Sequence, residues 1–139
     1  MKKVLLFLLC ILLVVSTTIS VHAANARLSH GIYSVQTFSI TPSGLAELSV
    51  DYKGNTTSFT SVTIETYIQK RTLGFIWIKV DNGETNNTWV DVSTERIDYI
   101  IHDLQLSDTG TYRAVFKITF SGTGAADDVL EDTIECVYE

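Results

Sequence analysis

Apolar and polar residues alternate along most of this chain, which is typical of β-strands with one buried face. In residues 112–120 every even-numbered position is aromatic, aliphatic or alanine, and most positions between them are polar. Successive side chains of a strand point to opposite faces, so the pattern predicts one core face and one wet face. The same alternation runs through residues 45–52, again with the even-numbered positions apolar.

Turn residues separate these stretches from further candidate strands. Asn82-Gly83 and the glycine-rich residues 121–124 are strong turn signals. The remaining strands are predicted at residues 33–40, 58–71, 75–80, 86–92, 97–104 and 129–138. We predict that 58–71 and 75–80 pair as a hairpin near the centre of one sheet. Strands recurring about every 10–13 residues, without a long helix, predict an all-β, two-sheet sandwich.

One stretch resembles the E–F corner of immunoglobulin domains. Asp108, Gly110 and Tyr112 match the Asp-x-Gly-x-Tyr motif of that corner, behind upstream apolar residues. The resemblance implies an immunoglobulin-like sandwich of seven or eight antiparallel strands, in which the Tyr112 hydroxyl bonds the backbone just upstream. Ala114 departs from the motif, because many immunoglobulin domains carry a disulfide cysteine there.

The chain is also similar to small secreted proteins of anaerobic Gram-positive bacteria. Those proteins pair a Gln-Lys…Trp hairpin with a later Gly-x-Tyr-Arg strand. The corresponding residues here are Gln69, Lys70, Trp77, Gly110, Tyr112 and Arg113. That family has no assigned activity, so the likeness implies a fold and an extracellular location only.

The first 23 residues have the pattern of a secretory signal peptide. Lys2 and Lys3 precede an unbroken apolar run at residues 4–15, and small residues end the segment at Ala23. The run is too short to span a bilayer, which takes roughly 20 residues. We therefore predict a cleaved peptide at 1–23, a loose lead-in at 24–32 and one domain at 33–139. Cleavage after Ala24 or Ala26 fits equally well.

Cleavage would make the chain more acidic. The sequence has 10 basic and 16 acidic residues, and loss of Lys2 and Lys3 leaves 8 basic residues against the same 16 acids, a net charge of −8. This charge argues against binding to nucleic acid and to anionic membranes, because both require basic patches. We predict an exported protein that does not insert into a membrane after cleavage.

Cysteine content leaves one thiol in the predicted mature chain. Cys10 lies in the predicted signal peptide, so cleavage would leave Cys136 as the one cysteine and exclude an internal disulfide. On its predicted strand Cys136 shares a face with Leu130 and Ile134, which favours a buried thiol that packs as a small apolar residue. The alternative is an exposed thiol that forms a disulfide-linked dimer.

Catalytic and metal-binding patterns are weak. His30 lies in the predicted lead-in, and a partly buried structural role is favoured for His102. Serine and threonine are abundant but no Gly-x-Ser-x-Gly motif occurs, so we predict no enzyme activity, no catalytic residue and no cofactor. Acidic residues cluster at 127–132, where a solvated charge run is favoured over a weak calcium site.

Aromatic residues are the remaining candidates for ligand contact. Trp89 has polar neighbours at 86–88, and with Tyr67 and Phe75 it would form a sugar-stacking platform if its ring faced solvent. For Trp77 a core position is favoured. The sequence therefore predicts a secreted, non-enzymatic binding or adhesion-type module for an extracellular protein. The alternatives are a carbohydrate-binding module and a structural component of the cell envelope.

Overall fold

Nine β-strands form two antiparallel sheets in the computed structural model, which describes residues 20–23 and 28–139. The strands are β1 Ser20–Ala23, β2 Gly31–Ile40, β3 Leu45–Gly54, β4 Phe59–Thr72, β5 Ile76–Lys79, β6 Trp89–Ser93, β7 Ile97–Gln105, β8 Gly110–Gly122 and β9 Asp128–Tyr138. The prediction of an all-β, two-sheet sandwich is confirmed, with eight strands in residues 28–139. Within the described residues the only helical element is the short 3-10 turn Thr85–Asn87.

The strand order fixes which residues share a surface. The first sheet has the order β2-β3-β7, with β1 added at its edge beside β2. The second, five-stranded sheet has the order β5-β4-β8-β9, and β6 pairs with β4 along the same edge as β5. Strands β4 and β8 are therefore central, and β5 is a short edge strand. The predicted position of residues 75–80 near the centre of a sheet is wrong.

The inner faces of both sheets supply the core. Alternation along β3, β4 and β8 places one apolar set inward, as the sequence pattern predicts. The fully buried residues with the largest side chains are Tyr52, Tyr112, Phe38, Phe116, Phe120, Leu48, Ile64, Ile68, Ile118 and Ile134. Cys136 is buried beside Ile134 on β9. A disulfide dimer through Cys136 would need this side chain to leave the core.

The turn before β8 holds Tyr112 in the arrangement that the immunoglobulin resemblance implies. The Tyr112 hydroxyl donates to the backbone carbonyl of Asp108 at 2.6 Å. Gly110 has φ +145°, which a residue with a side chain rarely adopts. Ala114, where the sequence departs from the immunoglobulin motif, is fully buried in the core.

Residues 29–31 are hydrogen-bonded to the first residue of β9. The Asp128 carboxylate accepts from the backbone N–H groups of Ser29, His30 and Gly31 at 3.0, 2.6 and 3.0 Å. The His30 side chain is fully buried and contacts the Ala125 carbonyl through Nε2 at 3.2 Å. The prediction of a loose lead-in through residue 32 is therefore wrong from residue 28 onward. Asp128 is a structural clamp instead of a member of a solvated charge run.

The predicted signal peptide lies outside the described residues except for β1, which forms the edge strand beside β2. The candidate cleavage sites at Ala24 and Ala26 also fall outside them. Within residues 20–23 and 28–139, no helix has the length and apolar character needed to cross a membrane.

The Asp128 clamp predicts acid-sensitive stability. Burial by itself would raise the pKa of Asp128, but the three backbone N–H donors and the nearby His30 lower it below the ordinary value of 3.8. The clamp's contribution is thus fully present above the unfolded-state pKa and is lost as pH falls through the lower folded-state pKa. We expect Asp128→Asn to lower the free energy of unfolding by roughly 1–2 kcal/mol at neutral pH, since charged hydrogen bonds are replaced at a partly exposed site.

Urea titrations at neutral and acidic pH measure this effect. Below the folded-state pKa the wild type and Asp128→Asn should become similar in stability, because the wild-type carboxyl is then neutral as well. Asp127→Asn is the matched control, since Asp127 is the exposed neighbour of Asp128. Equal losses for both variants at neutral pH would contradict the assignment of a clamp.

Candidate functional site

The outer face of the five-stranded sheet carries the two partly exposed aromatic rings Tyr67 and Trp77. On β4 the inward positions are Val62, Ile64, Thr66 and Ile68, so the odd-numbered residues, including Tyr67, point outward. Trp77 pairs with Arg71 across the β4–β5 hairpin and lies on this same outer face. Both rings are half-buried, because they lie against the sheet surface.

Three cationic side chains surround these rings. The Arg113 guanidinium lies 4.3 Å from the centroid of the Trp77 ring, and that of Arg71 lies 5.6 Å from it. The Lys79 ammonium lies 4.1 Å from the centroid of the Tyr67 ring. Each distance is within the range of a cation–π contact. We call these five residues, Tyr67, Arg71, Trp77, Lys79 and Arg113, the cationic face.

Neutral groups hold the three cations in place. Arg113 donates from Nε to Oε1 of Gln69 at 2.7 Å, and Arg71 donates from Nη2 to Oγ1 of Thr111 at 3.1 Å. Lys79 donates from Nζ to Oγ1 of Thr88 at 2.7 Å and to the Asn86 carbonyl at 3.1 Å. These bonds orient the three cations through neutral acceptors.

Carboxylates pair instead with the neighbouring lysines. Lys117 lies 2.9 Å from Glu65, and the hydrogen bond and charge of Glu65 raise the pKa of Lys117. Lys70 lies 3.2 Å from Asp108. Among the residues that the structure describes, neither Arg71, Lys79 nor Arg113 lies within ion-pair distance of a carboxylate. The cationic face thus groups three cations that are outside these ion pairs, with Glu135 opposite Arg113 on the neighbouring strand β9.

An open depression adjoins the cationic face. It has a volume of about 480 Å³ and lies along the outer side of β4, β8 and β9. Its lining includes Tyr67 and Lys79 together with Val115, Lys117 and Glu131. A ligand on this face would therefore meet an aromatic ring, two cations and, at the far end, carboxylates.

The β4–β5 hairpin extends the cationic face beyond the body of the sheet. The ladder between β4 and β8 ends at the pair Lys70 and Tyr112, and past this point β4 pairs only with β5. We call residues 71–77 the finger. At its end, Leu73 and Phe75 are 77% and 76% exposed.

Trp89 is not an exposed platform. Its ring is only 9% exposed and stacks on the His102 imidazole, with centroids 4.9 Å apart and planes at 7°. His102 Nε2 in turn lies 2.7 Å from an Asp91 carboxylate oxygen. Because Trp89 and Asp91 belong to β6 and His102 to β7, this cluster links the two sheets. The sugar-stacking hypothesis at Trp89 fails because that ring faces the core.

The structure differs from the prediction for one of the two tryptophans. The core position favoured for Trp77 is wrong, because Trp77 lies half-buried on the outer face, whereas Trp89, whose exposure the sequence left open, is in the core. The signal that identifies the cationic face is the spacing of Arg71, Trp77 and Lys79 along a hairpin with known register. Arg113 joins them only through the pairing of β4 with β8, where it lies opposite Gln69.

The acidic residues at 127–132 do not converge. Asp128 is occupied by the clamp on residues 29–31. In the part of the chain that the structure describes, no three His, Cys, Asp or Glu side chains form a group that could hold a metal ion.

Comparison with known proteins gives no relative from which to transfer a function. No protein-family model matches the chain, and no curated protein or solved structure matches it either. The resemblances to immunoglobulin domains and to small secreted bacterial proteins thus have no matching family behind them, and the all-β, two-sheet architecture is what is established.

Proposed function

We propose that this chain is an exported, non-enzymatic binding module of the adhesion type, and that its cationic face binds an anionic extracellular partner. The observation that carries the proposal is the group of three cations, Arg71, Lys79 and Arg113, none of which forms an ion pair with a carboxylate of the described residues. Like charges held close together repel one another, and an anionic partner would relieve that repulsion.

The chemistry of the cationic face suits binding. Guanidinium groups stay charged at all physiological pH values and present several donors in a fixed plane, which matches carboxylate, sulfate and phosphate oxygens. Arg113 uses its Nε donor on Gln69. Its terminal nitrogens would therefore be the groups that a partner contacts. Tyr67 and Trp77 add apolar area beside these donors.

Strand order supports an immunoglobulin-like arrangement within this proposal. In residues 28–139 the first sheet joins β2, β3 and β7, in that order. The second sheet joins β5-β4-β8-β9, and this order supports a likeness to the C′-C-F-G sheet of immunoglobulin domains. The cationic face would then be the outer side of that sheet. Because fold alone does not fix function, the side chains carry the argument.

Carbohydrate binding is a second candidate for the same surface. Tyr67 and Trp77 lie on one outer face, where they replace Trp89 as possible stacking surfaces. Since cations surround both rings, a glycan that carries carboxylate or sulfate groups fits this face better than a neutral one.

Binding to soluble polymers tests the proposed function. We expect the protein to bind heparin and poly-aspartate, and not neutral dextran, with an affinity that falls as salt rises. Arg113→Gln should raise the Kd at least tenfold, because it removes the charge over Trp77 and leaves a side chain that still reaches Gln69. Lys53→Gln, on the other sheet, is the matched control.

The outcomes separate the alternatives. Equal losses for Arg113→Gln and Lys53→Gln would mean that binding follows total charge and would contradict a specific site. Binding to heparin alone, lost in Trp77→Ala, would favour the acidic-glycan candidate. Failure to bind either polyanion would overturn the proposal.

A further inference from the structure

We infer that the finger, residues 71–77, enters the headgroup region of an anionic lipid bilayer while the cationic face contacts the lipid phosphates. This inference rests on the proposed function of the cationic face and names the anionic partner as a membrane surface. The attachment is interfacial and involves no membrane-spanning segment.

The finger extends past the end of the ladder between β4 and β8. Its only ladder pairs are Arg71 with Trp77 and Thr72 with Ile76. Strand β8 ends its pairing with β4 one residue earlier, at Lys70. Past that residue the finger contacts β8 through side chains, from Arg71 to Thr111 and from Arg113 to Trp77, and residues 73–76 at its end are exposed.

The end of the finger carries large apolar side chains that are exposed to solvent, and one of them has a positive φ. Leu73 is 77% exposed and has φ +52°, and Gly74 follows with φ +83°. Positive φ at both central residues defines a hairpin turn that favours Asn-Gly, so leucine gains nothing there from its backbone conformation. Nor does its side chain gain burial in the protein. Strained backbone at an exposed position points to a function for the side chain, and contact with an apolar phase would bury it.

The order of residue types along the finger matches the layers of a bilayer surface. Leu73 and Phe75 are at the end, Trp77 lies behind them, and the cations of the cationic face follow. Two residues of strand, about 7 Å, separate Leu73 from Arg71. Interfacial segments bury their apolar side chains by about 5–10 Å, with tryptophan and basic residues at headgroup level. Apolar residues would thus reach the acyl boundary when the arginines reach the phosphates.

Apolar side chains on both faces of the finger favour a bilayer over a protein pocket. Ile76 and Ile78, 40% and 53% exposed, lie on the face of β5 opposite to Trp77 and Lys79. A convex hairpin with apolar groups on both faces needs a medium that surrounds it. The net charge is −6 for the full chain and −8 without residues 1–23, so the surface as a whole disfavours anionic membranes. Contact would therefore be restricted to the finger and the cations beside it.

Vesicle sedimentation with the full chain tests the inference. We expect binding to vesicles of phosphatidylglycerol and phosphatidylcholine, and not to phosphatidylcholine alone. Leu73→Asn should weaken this binding at least fivefold while raising the thermal midpoint, because asparagine suits the turn. Leu73→Asn combined with Phe75→Ser should weaken it at least twentyfold. Ile97→Ser with Tyr99→Ser, which changes two apolar residues of β7 that are 52% and 54% exposed, should leave it unchanged.

The outcomes distinguish this inference from the proposed function. Both finger variants should bind heparin as the wild type does, since they leave the cationic face intact. If vesicles are not bound, or are bound equally by the finger variants, the inference is overturned, and heparin binding that depends on Arg113 would leave the proposed function in place. If the wild type binds neither heparin nor vesicles, the inference and the proposed function are both overturned.

Discussion

Phe116→Ala is expected to lower the free energy of unfolding by about 3–5 kcal/mol. Phe116 lies in the middle of β8, between β4 and β9, and its side chain is fully buried between the sheets. Truncation removes the ring from a position where neighbours on two strands and on the facing sheet cannot all move to fill the cavity. The lost burial and the residual cavity therefore add to one another.

Denaturant titration of the same substitution at an exposed site provides the control. Phe75→Ala changes the same side chain at the finger, where 76% of it is exposed, and should alter the free energy of unfolding by about 0.5 kcal/mol or less. A loss at Phe116 no larger than that at Phe75 would mean that the two sheets do not pack as described.

The second large effect is expected at Trp89. Trp89→Ala should cost roughly 3–5 kcal/mol, because it removes a buried ring that stacks on His102 and helps to join β6 to β7 across the two sheets. The pair His102 and Asp91 would also lose the surface that shields it from water. Part of the loss should therefore appear as weaker packing between the sheets.

Trp77→Ala is the matched comparison for Trp89→Ala. It deletes an equal side chain from the cationic face and should cost about 1 kcal/mol, chiefly the contacts with Arg71 and Arg113. We expect the two variants to affect different properties. Trp89→Ala should lower the free energy of unfolding, whereas Trp77→Ala should stay folded and lose ligand binding. The reverse result would mean that Trp77 is a core residue, and it would contradict the description of the cationic face.

Long alternating stretches were predictable because their two faces differ in polarity. In residues 45–52 and 112–120 the apolar set is unambiguous, and it forms the inner faces of β3 and β8. The turn at Gly110 was also readable, since glycine and the spacing to Tyr112 restrict the local backbone. In each case neighbouring residues of one segment contain the information.

Residues 75–80 were not predictable in the same way, because both of their faces are apolar. Ile76 and Ile78 alternate with Trp77, so polarity does not tell which set faces the core. The structure places this segment at the edge of the sheet, where neither set is fully buried. A core position for Trp77 was therefore a reasonable inference from composition and was wrong for a topological reason.

By itself the sequence determined the all-β class, the strand alternation and the turn at Tyr112, because these depend on side-chain period and backbone angles within a few residues. Only the tertiary structure decided which tryptophan is buried, that Asp128 clamps residues 29–31, and that Arg113 joins Arg71 and Lys79. Those contacts join residues that are tens of positions apart, so they follow from strand order and register. A one-residue change in register would move every outward side chain of a strand to the other face.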